Sequence, residues 1–83
     1  MRNIDVTISG EVIGLGQFLG LAGLAVGALD AKVMIEEGWV TVNGRVETQS
    51  GRQLRPGDLV ATTGRSARVV TADPGPTRPN EYG

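Results

Sequence analysis

The sequence predicts a small α+β domain in which two short helices pack on a small, mainly antiparallel sheet. Three observations carry that expectation. Hydrophobic spacing switches from period two to helical period near Leu15 and returns to period two after Gly38, while Asn43-Gly44 stands as a hairpin signal between two valine-containing runs. With 83 residues the chain has room for one modest core.

Ile4, Val6 and Ile8 alternate with polar residues, which reads as a strand with one buried face, ended by Ser9-Gly10. From there the period changes. Leu15, Phe18, Leu19 and Ala22 share one helical face, and Gly23 followed by Leu24 has the form of a glycine helix stop with its apolar contact. Gly20 inside this helix costs about 1 kcal/mol relative to alanine, so tertiary packing must hold the helix in place. A second helix is expected over residues 28–37, with Gly27 as N-cap, Asp30 in the first turn and Gly38 as the stop. Its core face is expected to be Ala28, Ala31, Met34 and Ile35, with Lys32 on the flank. Glu36 and Glu37 stand where the helix dipole disfavours negative charge, which points to solubility or a partner rather than helix stability.

Residues 39–47 read as a hairpin turned by Asn43-Gly44, since both positions tolerate positive φ. Gln49-Ser50-Gly51 marks a loop and Arg55-Pro56-Gly57-Asp58 a tight turn. Residues 59–62 form a further strand, Thr63-Gly64-Arg65 turns the chain again, and residues 66–71 form the last strand. From Ala72 onward proline and polar residues dominate. Residues 1–71 are therefore expected to form the domain and residues 72–83 a flexible tail.

Composition narrows the chemistry. Phe18, Trp39 and Tyr82 are the only aromatic residues, so the core must be aliphatic. Without cysteine there is neither a disulfide framework nor a thiolate zinc site, and without histidine the commonest general base is missing. Glu36 and Glu37 project to different sides of their helix and make a poor acid–base pair. Gly14, Gly16 and Gly20 are spaced G-x-G-x-x-x-G, one residue too long for a dinucleotide-binding loop, so they read as a helix-entry loop. No enzyme activity, metal, cofactor or small-molecule substrate is expected. The opening residues lack the basic and apolar regions of a signal peptide, and no apolar run is long enough to span a bilayer, so a cytoplasmic location without a membrane partner is expected.

The net charge is −1, but its distribution is uneven. In residues 1–38, Arg2 and Lys32 face Asp5, Glu11, Asp30, Glu36 and Glu37, a balance of −3. In residues 39–70, Arg45, Arg52, Arg55, Arg65 and Arg68 face only Glu47 and Asp58, a balance of +3. Every cation of that block is arginine, whose planar fork suits phosphates and stacks on bases.

Several segments in this order carry a resemblance: Leu15-Gly16-Gln17-Phe18-Leu19, Leu21-Ala22-Gly23-Leu24, Ala31-Lys32-Val33-Met34-Ile35-Glu36-Glu37-Gly38, Val40-Thr41-Val42-Asn43-Gly44 and Pro56-Gly57-Asp58-Leu59-Val60. Together they resemble the S-four-type RNA-binding domain, named after small-subunit ribosomal protein four. The segments Asn43-Gly44-Arg45-Val46-Glu47-Thr48 and Gly64-Arg65-Ser66-Ala67-Arg68-Val69-Val70 are similar to its small single-domain YbcJ-like bacterial group.

The resemblance implies RNA bound along the helix pair and the neighbouring hairpin loop. Lys32 matches the basic residue of the family's second helix, Asn43-Gly44 its hairpin turn, and Arg52 a loop that is typically basic. Gln17 lies at the start of the first helix, where the family commonly has Arg, Lys or Asp. With Arg45 and Arg55, these are the expected RNA-binding residues, and structured RNA of ribosomal or transfer type is the expected ligand. Each has a plainer role open to it: Lys32 can pair with Glu36, and the arginines can keep strand edges from pairing. The alternative function is a protein–protein adaptor built on the same fold. Trp39 either stacks on an unpaired base or, as its lone place in an aliphatic chain favours, packs over the end of the second helix.

Cutting the chain after Thr71 is expected to leave the melting temperature nearly unchanged. A fall of many degrees would place the last twelve residues within the cooperative unit.

Overall fold

In the computed structural model, which describes residues 2–71, the switch of hydrophobic period coincides with the start of helix α1 (Leu15–Leu21). Leu15, Phe18, Leu19 and Ala22 are all buried, as their spacing predicts. Gly23 takes φ +76°, its N–H reaches the Gly20 carbonyl at 3.2 Å, and the Leu24 N–H reaches Leu19 at 2.9 Å. This is the paired hydrogen-bond pattern of a Schellman stop, and Leu24 completes it by packing into the core.

Helix α2 (Ala28–Glu36) begins at the extended Gly27 and ends the same way, with Gly38 at φ +83° and the Trp39 N–H on the Met34 carbonyl at 3.0 Å. Asp30 accepts the Val26 N–H at 2.9 Å and so fixes the entry turn. The core face is narrower than the spacing predicts. Ala31 and Ile35 are buried and Met34 is half-buried, but Ala28 is exposed, because it lines a groove between the two helices.

The strands are β1 (Arg2–Ile8), β2 (Ile13–Gly14), β3 (Thr41–Val42), β4 (Arg45–Val46), β5 (Gln53–Leu54), β6 (Leu59–Thr62) and β7 (Arg65–Thr71). Five of them form one sheet in the order β1-β7-β6-β3-β4, antiparallel except for the parallel pair β1 and β7. Side by side in that parallel register, the Ser66 hydroxyl hydrogen-bonds the Asn3 side-chain oxygen. Val40, Val42, Val60, Ala67 and Val69 face the helices and are buried with Phe18, Leu19 and Ile35. Burying each large aliphatic or aromatic side chain of this set contributes about 1.5–3 kcal/mol. β1 keeps its predicted alternation only in part: Ile8 is buried and Val6 packs on the core, whereas Ile4 is 42% exposed at the far end of this edge strand.

β2 and β5 form a separate two-stranded pairing that periodicity did not reveal, since two residues per strand carry no measurable period. This pairing seats the loop after β4 against the start of α1, where the Leu15 N–H meets the Arg52 carbonyl at 2.8 Å. The tail expected at residues 72–83 lies outside the described residues.

Asn43 and Gly44 both take positive φ, +53° and +87°, as the hairpin reading requires. The turn is tied to its neighbour: Asn43 Oδ1 accepts the Leu59 N–H at 2.9 Å and Nδ2 donates to Asp58 Oδ1 at 3.0 Å. A Cβ on Gly44 would meet nothing within 4 Å, so any penalty there is conformational rather than steric. Gly44→Val should therefore destabilise the fold by about 1–2 kcal/mol. Asn43→Ala should do at least as much harm, because Leu59 loses its partner. Denaturant unfolding measures both, and a Gly44→Val protein as stable as the parent would contradict the turn.

Candidate nucleic-acid interface

The glycines of α1 find their use in the space between the helices. A groove of about 690 Å³ runs there, lined by Gly16, Gln17, Gly20 and Leu21 of α1, by Gly27, Ala28 and Lys32 of the second helix and its entry, and by Ser50. A Cβ added at Gly16, Gly20 or Gly27 would meet no atom within 4 Å. Close helix packing does not explain these residues. Their effect is to keep the floor of the groove low and open.

Gln17 and Lys32, expected from sequence at separate places, both line this groove. Both are exposed, and among the described residues no ion pair or hydrogen bond engages the Lys32 ammonium. The pairing of Lys32 with Glu36 that the sequence allows is not formed.

Arg52 stands at the margin of the groove through its backbone contact with Leu15, but its guanidinium is engaged. Nη1 lies 2.7 Å from Glu47 Oε1, the one ion pair among the described residues. The Arg52 guanidinium, helped by the Gln49 N–H, holds the Glu47 carboxyl below the usual glutamate value. The loop between β4 and β5 is thereby closed on itself, with Ser50 presented to the groove.

Arg45 lies two residues before Glu47 on the edge strand β4, about 7 Å along it and on the same side. It is exposed, and its side chain has no partner among the described residues. A path of polar groups thus leads from the groove past Arg52 to Arg45. Asn43 and Gly44 follow, but the Asn43 amide is spent on Asp58 and Leu59 and acts as a builder of the turn. Arg55 opens the adjoining turn, where its N–H bonds to Asp58 Oδ2 at 2.9 Å and its side chain stays free among the described residues. The structure does not gather the whole arginine block. Arg65 is held at the end of α1 by the Gly23 carbonyl at 3.0 Å, and Arg68, opposite Leu59, alternates with buried Ala67 and Val69 and so points to the helix-free face.

Trp39 is 57% exposed and stands just after Gly38, the residue that ends α2. The glycine-floored groove itself was missed by sequence reading, although the unfavourable Gly20 was its signal. No helix among the described residues is long and apolar enough to cross a membrane, and no carboxylate cluster among them would hold a metal ion.

Comparison with known proteins decides the family: residues 6–70 match the S4 domain model. The chain belongs to the S4 domain family. The S4 domain is a general RNA-binding domain and not a catalytic one. The chain is similar to the tyrosine–tRNA ligase of Ralstonia nicotianae, 37% identical over 68 residues that make up 80% of this chain and 17% of the relative. It is also similar to the tyrosine–tRNA ligase of Burkholderia lata, 35% identical over 68 residues, 80% of this chain and 16% of the relative. It thus spans less than a fifth of the length of these curated relatives.

The lowered Glu47 pKa has a testable sign. Stability from the pair is present above the unfolded glutamate pKa of about 4.3 and is lost as pH falls through the lower folded value. In Arg52→Ala the Glu47 carboxyl should titrate at higher pH than in the parent, as followed by side-chain carboxyl NMR. An unchanged titration would mean that the pair is not made in solution.

Proposed function

We propose that this S4 domain binds structured RNA of the transfer type in the groove between α1 and α2 and along the adjoining β4 edge. Gln17 and Lys32 engage the strand in the groove, Arg52 borders it, and Arg45 and Arg55 extend the contact along the hairpin that Asn43 and Gly44 hold in shape. One observation carries this reading above the rest: a polar side chain from each helix lines a glycine-floored groove in which the only cation is unpaired among the described residues. The names of the relatives, tyrosine–tRNA ligases, favour transfer RNA over other structured RNA. The chain itself is proposed to bind rather than catalyse, and to do so in the cytoplasm, where such RNA is found.

The test is binding to transfer RNA at several salt concentrations by mobility shift. Lys32→Ala should weaken binding and reduce the slope of log affinity against log salt by about one, as the loss of one phosphate contact demands. Gly20→Ala separates stability from function. It should stabilise the helix by up to about 1 kcal/mol, since its Cβ meets open space, yet weaken RNA binding by raising the floor of the groove. Failure of the parent to bind structured RNA even at low salt would end this reading.

A further inference from the structure

We propose that the RNA strand in the groove crosses α1 and seats an unpaired nucleobase in a second hollow on the far flank of that helix. This rests on the RNA reading above and adds to it the kind of RNA bound, one that carries an unstacked nucleotide. The hollow, of about 480 Å³, is bounded by Ile8 at the end of β1, by Val12 and Ile13 where β2 begins, and by Gln17 and Leu21 of α1. Gln17 and Leu21 line the groove as well, so the two spaces share one wall. Helix geometry accounts for the sharing. Gly16 and Gly20 line the groove, and the residue after each stands about 100° further round the helix. Gln17 and Leu21 therefore form a crest, with the groove on one flank and the hollow on the other.

Chemistry selects the occupant. None of the residues lining the hollow is charged, so a phosphate finds no counter-charge there, whereas Lys32 offers one in the groove. Val12 and Leu21 are 47% and 55% exposed, apolar surface that the buried core does not use and that the flat face of a base would cover. The Gln17 side chain makes no hydrogen bond among the described residues. Its amide presents a donor and an acceptor side by side, the pair that matches an adenine edge. The volume falls within the range of about 300–1,000 Å³ typical of sites that bury small molecules, so a nucleobase fits. Bases splayed out of single-stranded segments are what sequence-selective RNA recognition most often grips. Backbone on the cation and base in the uncharged hollow is the division of contacts that suits the two spaces.

The full chain is titrated, by fluorescence anisotropy, with an RNA stem–loop bearing a short single-stranded overhang of adenosines. The control is the same RNA with abasic sugars in the overhang, which keeps every phosphate. The adenosine RNA should bind about tenfold tighter, and both should show the same salt slope because their phosphates are equal. Val12→Ser should reduce that ratio to about threefold or less. Val33→Ser, the same change at a valine of similar exposure that lines neither space, should leave it at the parent value, with circular dichroism confirming that both variants are folded. Independently of any variant, the methyl NMR signals of Val12 and Ile13, which line the hollow but not the groove, should shift with the adenosine RNA and not with the abasic one. Equal binding of the two RNAs, with salt dependence intact, would overturn the base site and leave the groove reading standing. No binding of either would end both. A preference that survives Val12→Ser, or methyl signals that do not move, would put the base elsewhere and overturn the proposal.

Discussion

The side chain of Asn43 fixes the register on which the rest of the sheet depends. Its Oδ1 takes the Leu59 N–H while its own N–H reaches the Leu59 carbonyl at 2.7 Å, so β3 is locked to β6 at one point by two bonds. A slip of one residue would turn every side chain of β3 to the other face. Val40 and Val42 would leave the core, and Trp39 and Thr41 would have to enter it. Asn43 holds this position at φ +53°, a conformation that asparagine tolerates better than most residues because its short side chain bonds locally. The hairpin therefore organises both faces at once: valines toward the helices, Trp39 and Val46 away from them.

Helix α1 shows the opposite bargain. Gly16 and Gly20 weaken a helix that is only seven residues long, and no neighbour would be struck if they were alanine. The core tolerates this because Leu15, Phe18 and Leu19 are fully buried on the other side and the Leu15 N–H is tied to Arg52. What the glycines leave behind is an approach for another backbone to the helix surface. A stability loss without a packing reason, placed next to a lysine unpaired among the described residues, is the feature on which the proposed RNA groove rests.

Much of this was legible in the sequence because local rules carried it. The helix stops at Gly23 and Gly38, the Asn43-Gly44 turn and the Pro56-Gly57 turn each follow from a glycine at positive φ, a property of the residue itself. The parallel pairing of β1 with β7 and the short pairing of β2 with β5 were not legible, since they join segments far apart in the chain and leave no period to detect. The same limit governs the site. Lys32 and Gln17 line one groove and Arg45 lies exposed on β4, whereas the partners of other arginines lie elsewhere in the chain: Arg52 on Glu47, Arg65 on Gly23, Arg68 on Gly57. Ala28 was expected in the core because helical spacing cannot show that a groove lies between two helices.

Those partners bear on how strongly such a domain can hold RNA. Of Lys32 and the arginines within residues 39–70, Arg52, Arg65 and Arg68 are engaged inside the protein, while Lys32, Arg45 and Arg55 have free side chains among the described residues. Three phosphate contacts would give a salt slope of about −2.1 to −2.7, so a fourfold rise in salt would lower affinity about 20- to 40-fold. On the proposed reading, a module of this charge binds RNA weakly and with a strong dependence on salt. Selectivity on that reading comes from the shape of the groove, which would suit a folded RNA presenting a protruding strand better than a uniform duplex.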